Sequence, residues 1–197
     1  MSSPKMGSSK IAVVGGGLAG LFTAYHLLEA GKSPGHITIY DKPSRTRGSQ
    51  APVAMAHPFP GLALKPKPGL FEAFAYTKEF LEKLEDNIGF SDWWVRPMFR
   101  PVERPRQESR MYRSWERYRG DYPDWLESRW VDDLKACQFS SDFEIRSGFV
   151  YGPTLSLELG KLCGLLYGWL QEQGVHVERR YVDEAKQVEG LWRLSYY

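Results

Sequence analysis

The chain has 197 residues, 42% hydrophobic and 25% charged, with a formal net charge of +2, which predicts a globular protein with one full domain and part of another and argues against a generally basic nucleic-acid-coating surface. Its two cysteines, Cys137 and Cys163, form no C-x-x-C pair and have no histidine at metal-ligand spacing, so neither a disulfide framework nor a zinc site is expected, and the predicted location is the reducing cytoplasm. No stretch approaches the ~20 uninterrupted apolar residues of a membrane span, and the apolar run at 11–28 is broken by three glycines and His26, which argues against an export signal.

Residues 1–9 read as a polar tail without structure. Ile11, Ala12, Val13 and Val14 then form a short apolar run typical of a buried strand, and it stops at three glycines. Gly15, Gly17 and Gly20 fit G-x-G-x-x-G: the first permits a tight turn, the second a close backbone approach to a pyrophosphate, and the third close packing of the next helix on the sheet. Leu18, Leu21, Phe22, Tyr25 and Leu28 recur at helical spacing up to Gly31, so Leu18, Ala19 and Gly20 open a helix whose N-terminus faces an anion. Residues 36–40 read as a second strand ending on Asp41, where a dinucleotide fold places the ribose-binding carboxylate. That acid also disfavours a 2'-phosphorylated cofactor.

A loop rich in Pro, Gly, Ser and Arg follows, in which Ser49 and Arg45 or Arg47 are candidates for phosphate contact. Together with the glycine turn and Asp41-Lys42, its segment GSQAPVAMAHP (48–58) resembles the start of FAD-dependent oxidoreductases of the D-amino-acid oxidase type. That family includes glycine and sarcosine oxidases and the oxidase domain of a tRNA wobble-uridine modifying enzyme. The resemblance implies a Rossmann-type α/β domain holding FAD through Gly15, Gly17, Leu18, Ala19 and Gly20, through Asp41 and Lys42 at the ribose, and through Gly48, Ser49, Val53, Ala54 and Met55 near the pyrophosphate and flavin. The family commonly has glycine at the position of Ala54, so this chain departs from the pattern there.

Residues 69–88 predict an amphipathic helix with Leu70, Phe74, Thr77, Leu81 and Leu84 on one face, closed by Gly89. Residues 96–119 hold eight arginines against three glutamates, and five of the seven tryptophans lie between Trp93 and Trp130. Arginine interleaved with rings suits nucleic acid, but the recurrent Pro97, Pro101 and Pro105 favour a twisted antiparallel sheet, charged outside and aromatic inside. Further on, residues 148–153 suggest a strand and turn, with Thr154 as N-cap of a helix. That helix carries Leu155, Leu159, Leu162, Leu166 and Trp169 as its apolar stripe and stops at Gly174; Cys163 among the leucines reads as a small core residue. Residues 175–182 read as a strand, 183–190 as a turn and 191–197 as another strand; the resemblance implies that the first of these is a third parallel strand beside the first two and that Val182 lies near the adenine.

The expected organisation is a partial FAD-binding domain from 10–68 and 148–197, with a partial α+β substrate or interaction domain at 69–147 between its halves. The resemblance covers about the first half of the family's usual length, which implies a truncated or split form drawing its other half from a second chain. It further implies oxidation of a small amine or amino acid by hydride transfer to flavin. Rival expectations are an FAD-dependent tRNA-modifying oxidase, a catalytically silent dinucleotide-binding fragment, and a nicotinamide-dependent dehydrogenase. His57 is the one histidine singled out for a role near the flavin.

Overall fold

A computed structural model describes residues 9–42, 48–102, 104–131, 147–189 and 191–196, in two compact units. The first comprises 1–53 and 158–197 of the chain, the second 54–157.

In the first unit, Ile11–Val14 (β1) leads into Leu18–Glu29 (α1), and Ile37–Tyr40 (β2) runs parallel to β1 with Ile11 opposite Ile37 and Val14 opposite Tyr40. His176–Glu178 (β7) adds a third parallel strand on the far side of β2, the arrangement that the family resemblance implies. Strand β2 is therefore central, and both Ile37 and Ile39 are fully buried. Leu159–Glu172 (α4) packs against α1, where the Tyr25 and Trp169 rings meet at 5.2 Å. Leu159, Leu162, Leu166 and Leu170 recur every turn and all are buried, the stripe expected of a helix lying on its neighbours. Val182–Val188 (β8) and Leu191–Tyr196 (β9) form a separate antiparallel pair with Leu191 and Trp192 exposed.

The second unit is organised on Ser147–Leu157 (β6), an eleven-residue strand. Trp93–Val102 (β4) pairs along one edge of it; Ala54–Ala56 (β3) and Leu126–Val131 (β5) share the other. Leu70–Ile88 (α2) buries Phe74, Phe80, Leu81 and Leu84 and ends on left-handed Gly89, in agreement with the predicted face and stop. Pro105–Tyr118 (α3) sends Met111 and Trp115 into a cluster with Phe59, Leu64, Val102, Leu126, Phe149 and Tyr151. Trp125, Trp130 and Tyr122 pack on that cluster. Three of the five tryptophans concentrated in this stretch, Trp115, Trp125 and Trp130, thus contribute to a core, whereas Trp94 is exposed.

The structure differs from the sequence pattern in five places. Residues 105–118 are helix rather than sheet: Pro105 occupies the first turn, where its missing N–H is not needed, and Met111 and Trp115 recur one turn apart. Gly152 and Pro153 do not end the strand; they form the wide side of a bulge opposite Pro97, where two prolines can sit without breaking the ladder. Thr154 is buried inside β6, and α4 instead begins after Glu158, without a side-chain cap. The expected strand at 175–182 ends at Glu178, where the Arg180 amide turns back onto the Glu178 carbonyl at 2.9 Å, and the expected turn at 183–190 holds β8. Finally, 54–68 and 148–157 belong with the second unit, because β3 and β6 pair with each other.

Candidate cofactor site

The glycine turn and the end of β2 are tied together at close range. The Gly15 amide donates to the Tyr40 carbonyl at 2.8 Å, and the Gly16 amide donates to Oδ1 of Asp41 at 2.8 Å. Asp41 is itself buried, and its own amide donates to the Glu178 carbonyl on β7 at 2.9 Å. A carboxylate held this way is positioned by three strands at once.

Space explains the glycines. Gly15 has φ +101°, a left-handed conformation that costs an L side chain of order 1–3 kcal/mol. A Cβ on Gly20 would fall 1.8 Å from the Gly15 carbonyl oxygen, so the first turn of α1 can approach the loop only without one. Gly16, which fills a free position of the motif, is equally constrained: its Cβ would lie 2.7 Å from Cγ of Asp41. At Gly17 a Cβ would meet Oγ of Ser49 at 3.3 Å. The structure thus brings together Gly15, Gly16, Gly17, Leu18, Ala19, Gly20, Asp41 and Ser49.

Helix α1 starts at Gly17 with no side-chain cap and no acidic residue in its first turn. Its leading amides and the positive end of its dipole suit an anion such as a pyrophosphate. Beside the turn lies a cavity of about 250 Å³ lined by Gly16, Asp41, Ser49, Cys163, Tyr167 and Arg179, among others. The cavity thus carries a carboxylate, a hydroxyl, a guanidinium and an aromatic ring, donor and acceptor types that an adenine dinucleotide can use.

The lining groups Gly160, Gly164, Tyr167 and Arg179 escape the sequence reading, and Cys163 is read there only as core. Gly160, Cys163 and Gly164 recur beside the leucine stripe of α4 and give the helix a low-relief face, with the Tyr167 ring next to it. Cys163 is half-buried and lines the cavity, so it is not simply a core residue; burial pushes its thiol pKa up and keeps it protonated. Arg179 follows β7 directly, whereas Val182 opens β8 three residues later, opposite Tyr196. Lys42, Gly48 and Val53 are exposed. Ala54 and Met55 stand on β3 in the second unit, paired with Leu157 and Ser156. Arg45, Arg47 and Cys137 lie outside the described residues.

In the second unit, the His57 ring stacks on Tyr151 at 4.4 Å, and its Nδ1 accepts the Phe59 amide at 3.2 Å. Burial, and then the nearby Arg100 cation, hold its pKa below the ordinary 6.5. Neutral His57 therefore carries its proton on Nε2. It shares a cavity of about 280 Å³ with Met55, Pro60, Leu70, Phe74 and Thr77. Arg100 donates to the Tyr151 hydroxyl, which donates to the Phe59 carbonyl at 3.2 Å. Among the described residues, no group of His, Cys, Asp and Glu could hold a metal ion, and no helix is long and apolar enough to cross a membrane.

A family model described as FAD dependent oxidoreductase matches residues 10–195. No curated protein matches the sequence. Among solved structures, glycine oxidase from Bacillus cereus ATCC 14579 is similar in fold, with TM-score 0.66 and 16% identity over 92% of this chain and 49% of that one. NikD, described as an unusual amino acid oxidase essential for nikkomycin biosynthesis, gives 0.67 and 15% over 94% and 47%. L-amino acid deaminase from Proteus vulgaris gives 0.63 and 13% over 97% and 44%. The chain spans about half the length of these relatives.

Proposed function

The chain belongs to the DAO family of FAD dependent oxidoreductases, and from that premise we propose that it serves the oxidation of an amine or amino acid, with the adenosine and pyrophosphate of FAD held in the first unit. The observation that carries the reading is the buried Asp41 carboxylate, fixed by the Gly16 amide beside the uncapped start of α1. The residues present fit the cofactor. Asp41 would accept from ribose hydroxyls, the amides of Leu18, Ala19 and Gly20 would face the pyrophosphate, and Ser49 and Arg179 would add a hydroxyl and a cation at the cavity wall.

The chemistry supplied by bound FAD is acceptance of a hydride equivalent from the carbon bearing the substrate nitrogen, which leaves an imine for water to hydrolyse. This chain's part is binding and orientation. His57 presents a proton on Nε2 and no charge, a donor suited to a polar group in a cavity whose other lining is apolar apart from Thr77. Because the chain spans about half of its relatives, the proposal includes a contribution to the complete site from a further segment of the family fold, on the same or another polypeptide. A second reading, in which the amine is carried on a tRNA, draws support from the arginines on α3.

The test is a visible absorbance spectrum of the purified chain and a titration with FAD and with NAD. Preferential FAD binding followed by bleaching of the flavin on adding amines or amino acids is the expected result. Tighter binding of NAD would overturn the cofactor assignment, and bound FAD that no amine reduces, alone or with the remaining half of the fold supplied, would leave a silent dinucleotide-binding module.

A further inference from the structure

Helix α3 carries a row of arginines that are not part of the cavity beside the glycine turn. Arg106, Arg110, Arg113 and Arg117 recur at intervals of four, three and four residues, which at 100° per residue confines them to an arc of about 60°. All four are exposed, while Met111 and Trp115 are buried in the core of the second unit. Exposed Lys65 joins three of them, Arg110, Arg113 and Arg117, at a cavity of about 330 Å³ whose lining also includes Ser114 and Tyr118. Arg113 Nε donates to the Ser109 carbonyl at 3.1 Å, and the Arg117 guanidinium lies 5.3 Å from the centre of the Tyr118 ring. Among the described residues, none of these five cations is held in an ion pair.

A net charge of only +2 makes this row a local concentration rather than part of a general excess. Each arginine stands about one turn, roughly 5 Å, beyond the last, a repeat comparable to that of neighbouring phosphates on an extended strand. Guanidinium groups present a planar fork that matches two phosphate oxygens, and Tyr118 places a ring at the same cavity for stacking. A membrane surface fits less well, because Met111 and Trp115 of α3 are turned into the core and the rings left beside the row belong to Tyr112 and Tyr118, which carry hydroxyls rather than a continuous apolar face. An acidic peptide offers carboxylates without the fixed repeat.

We propose that Lys65 and the arginine face of α3 bind the phosphate backbone of a single nucleic-acid strand. This goes beyond the redox reading and does not rest on it, since binding is read without FAD. The probe is a fluorescently labelled oligouridine RNA, followed by anisotropy across a salt series. Five cations on a single strand predict a log–log slope near −3.5, so that affinity falls roughly a hundredfold between about 50 and 200 mM salt. The triple variant Arg110→Gln/Arg113→Gln/Arg117→Gln should retain its far-ultraviolet circular dichroism, lose at least about tenfold in affinity at low salt, and show a slope near about −1.4. A control, Lys32→Gln/Lys186→Gln/Arg193→Gln, makes the same change in net charge at exposed positions of the first unit and should bind like the parent. Oligothymidine DNA binding as well as RNA would support backbone recognition. Absence of binding at low salt, equal weakening in the control, or displacement by polyglutamate as effective as by unlabelled RNA would each overturn the proposal.

Discussion

The Gly16 amide and the Asp41 carboxylate are 2.8 Å apart in a buried hydrogen bond, so the acid at the end of β2 also fastens the loop that ends β1. One residue therefore has two separable jobs. Asp41→Asn keeps an oxygen for the Gly16 amide and should leave the fold nearly as stable, while weakening FAD binding by about tenfold through loss of a charged acceptor for ribose. Asp41→Ala orphans the amide as well and should lower stability by about 1.5–3 kcal/mol. Urea denaturation and FAD titration of the two variants distinguish the jobs; equal loss of stability in both would refute the division.

At Gly20, an alanine methyl would arrive 1.8 Å from the Gly15 carbonyl oxygen, which is backbone and cannot rotate away. Gly20→Ala should cost about 3 kcal/mol, the upper part of the range for overpacking, and should abolish FAD binding because α1 is pushed off the turn. Thermal denaturation measures the first effect and flavin fluorescence the second.

Helix α4 offers a paired comparison. Neither Gly164 nor Gly168 has any atom within 4 Å of an added Cβ, yet only Gly164 lines the cavity by the glycine turn. Both Gly→Ala changes should stabilise the helix by about 0.5–1 kcal/mol. Gly168→Ala should leave FAD affinity unchanged, whereas Gly164→Ala should reduce it. A cofactor affinity insensitive to both would detach that cavity from the adenosine.

His57 supplies a pH dependence. Its folded pKa lies below the ordinary 6.5, chiefly through burial, so the unfolded chain binds the proton more readily. The contribution is absent above about 6.5, and the folded state loses stability as pH falls through that value, until the folded group also protonates. His57→Asn retains an acceptor for the Phe59 amide without a titrating ring, and should flatten the decline in urea midpoint between about pH 7 and 5 relative to the parent. Parallel declines in parent and variant would assign the effect to other groups.

Legibility in the sequence followed the range of the interaction. The glycine turn, α1, β2 and the acid after it are all fixed by residues within one βαβ segment, and the predicted elements are those observed. Helix α2 and the leucine stripe of α4 are similarly local. Helix α3 was obscured because its apolar signal is carried by Met111 and Trp115 alone, among arginines and behind three regularly spaced prolines. The continuity of β6 through Gly152 and Pro153 depends on a bulge against Pro97, more than fifty residues away in the chain, and no local pattern announces that pairing. The cavity wall has a signal of its own, in the small residues Gly160, Cys163 and Gly164 beside the α4 leucines, but its meaning depends on Ser49 and Asp41 arriving opposite.

The pairing of Ala54 with Leu157 has a kinetic consequence. Strand β7 must find β2 across 138 positions, from Thr38 to His176, a separation that ordinarily slows folding. Once β3 has joined β6, the whole intervening segment begins and ends at neighbouring residues, and the loop left to close is roughly a quarter as long. Loop-closure entropy values that shortening at about 1 kcal/mol. Loop closure therefore favours an order in which β3 and β6 pair before β2 and β7 meet.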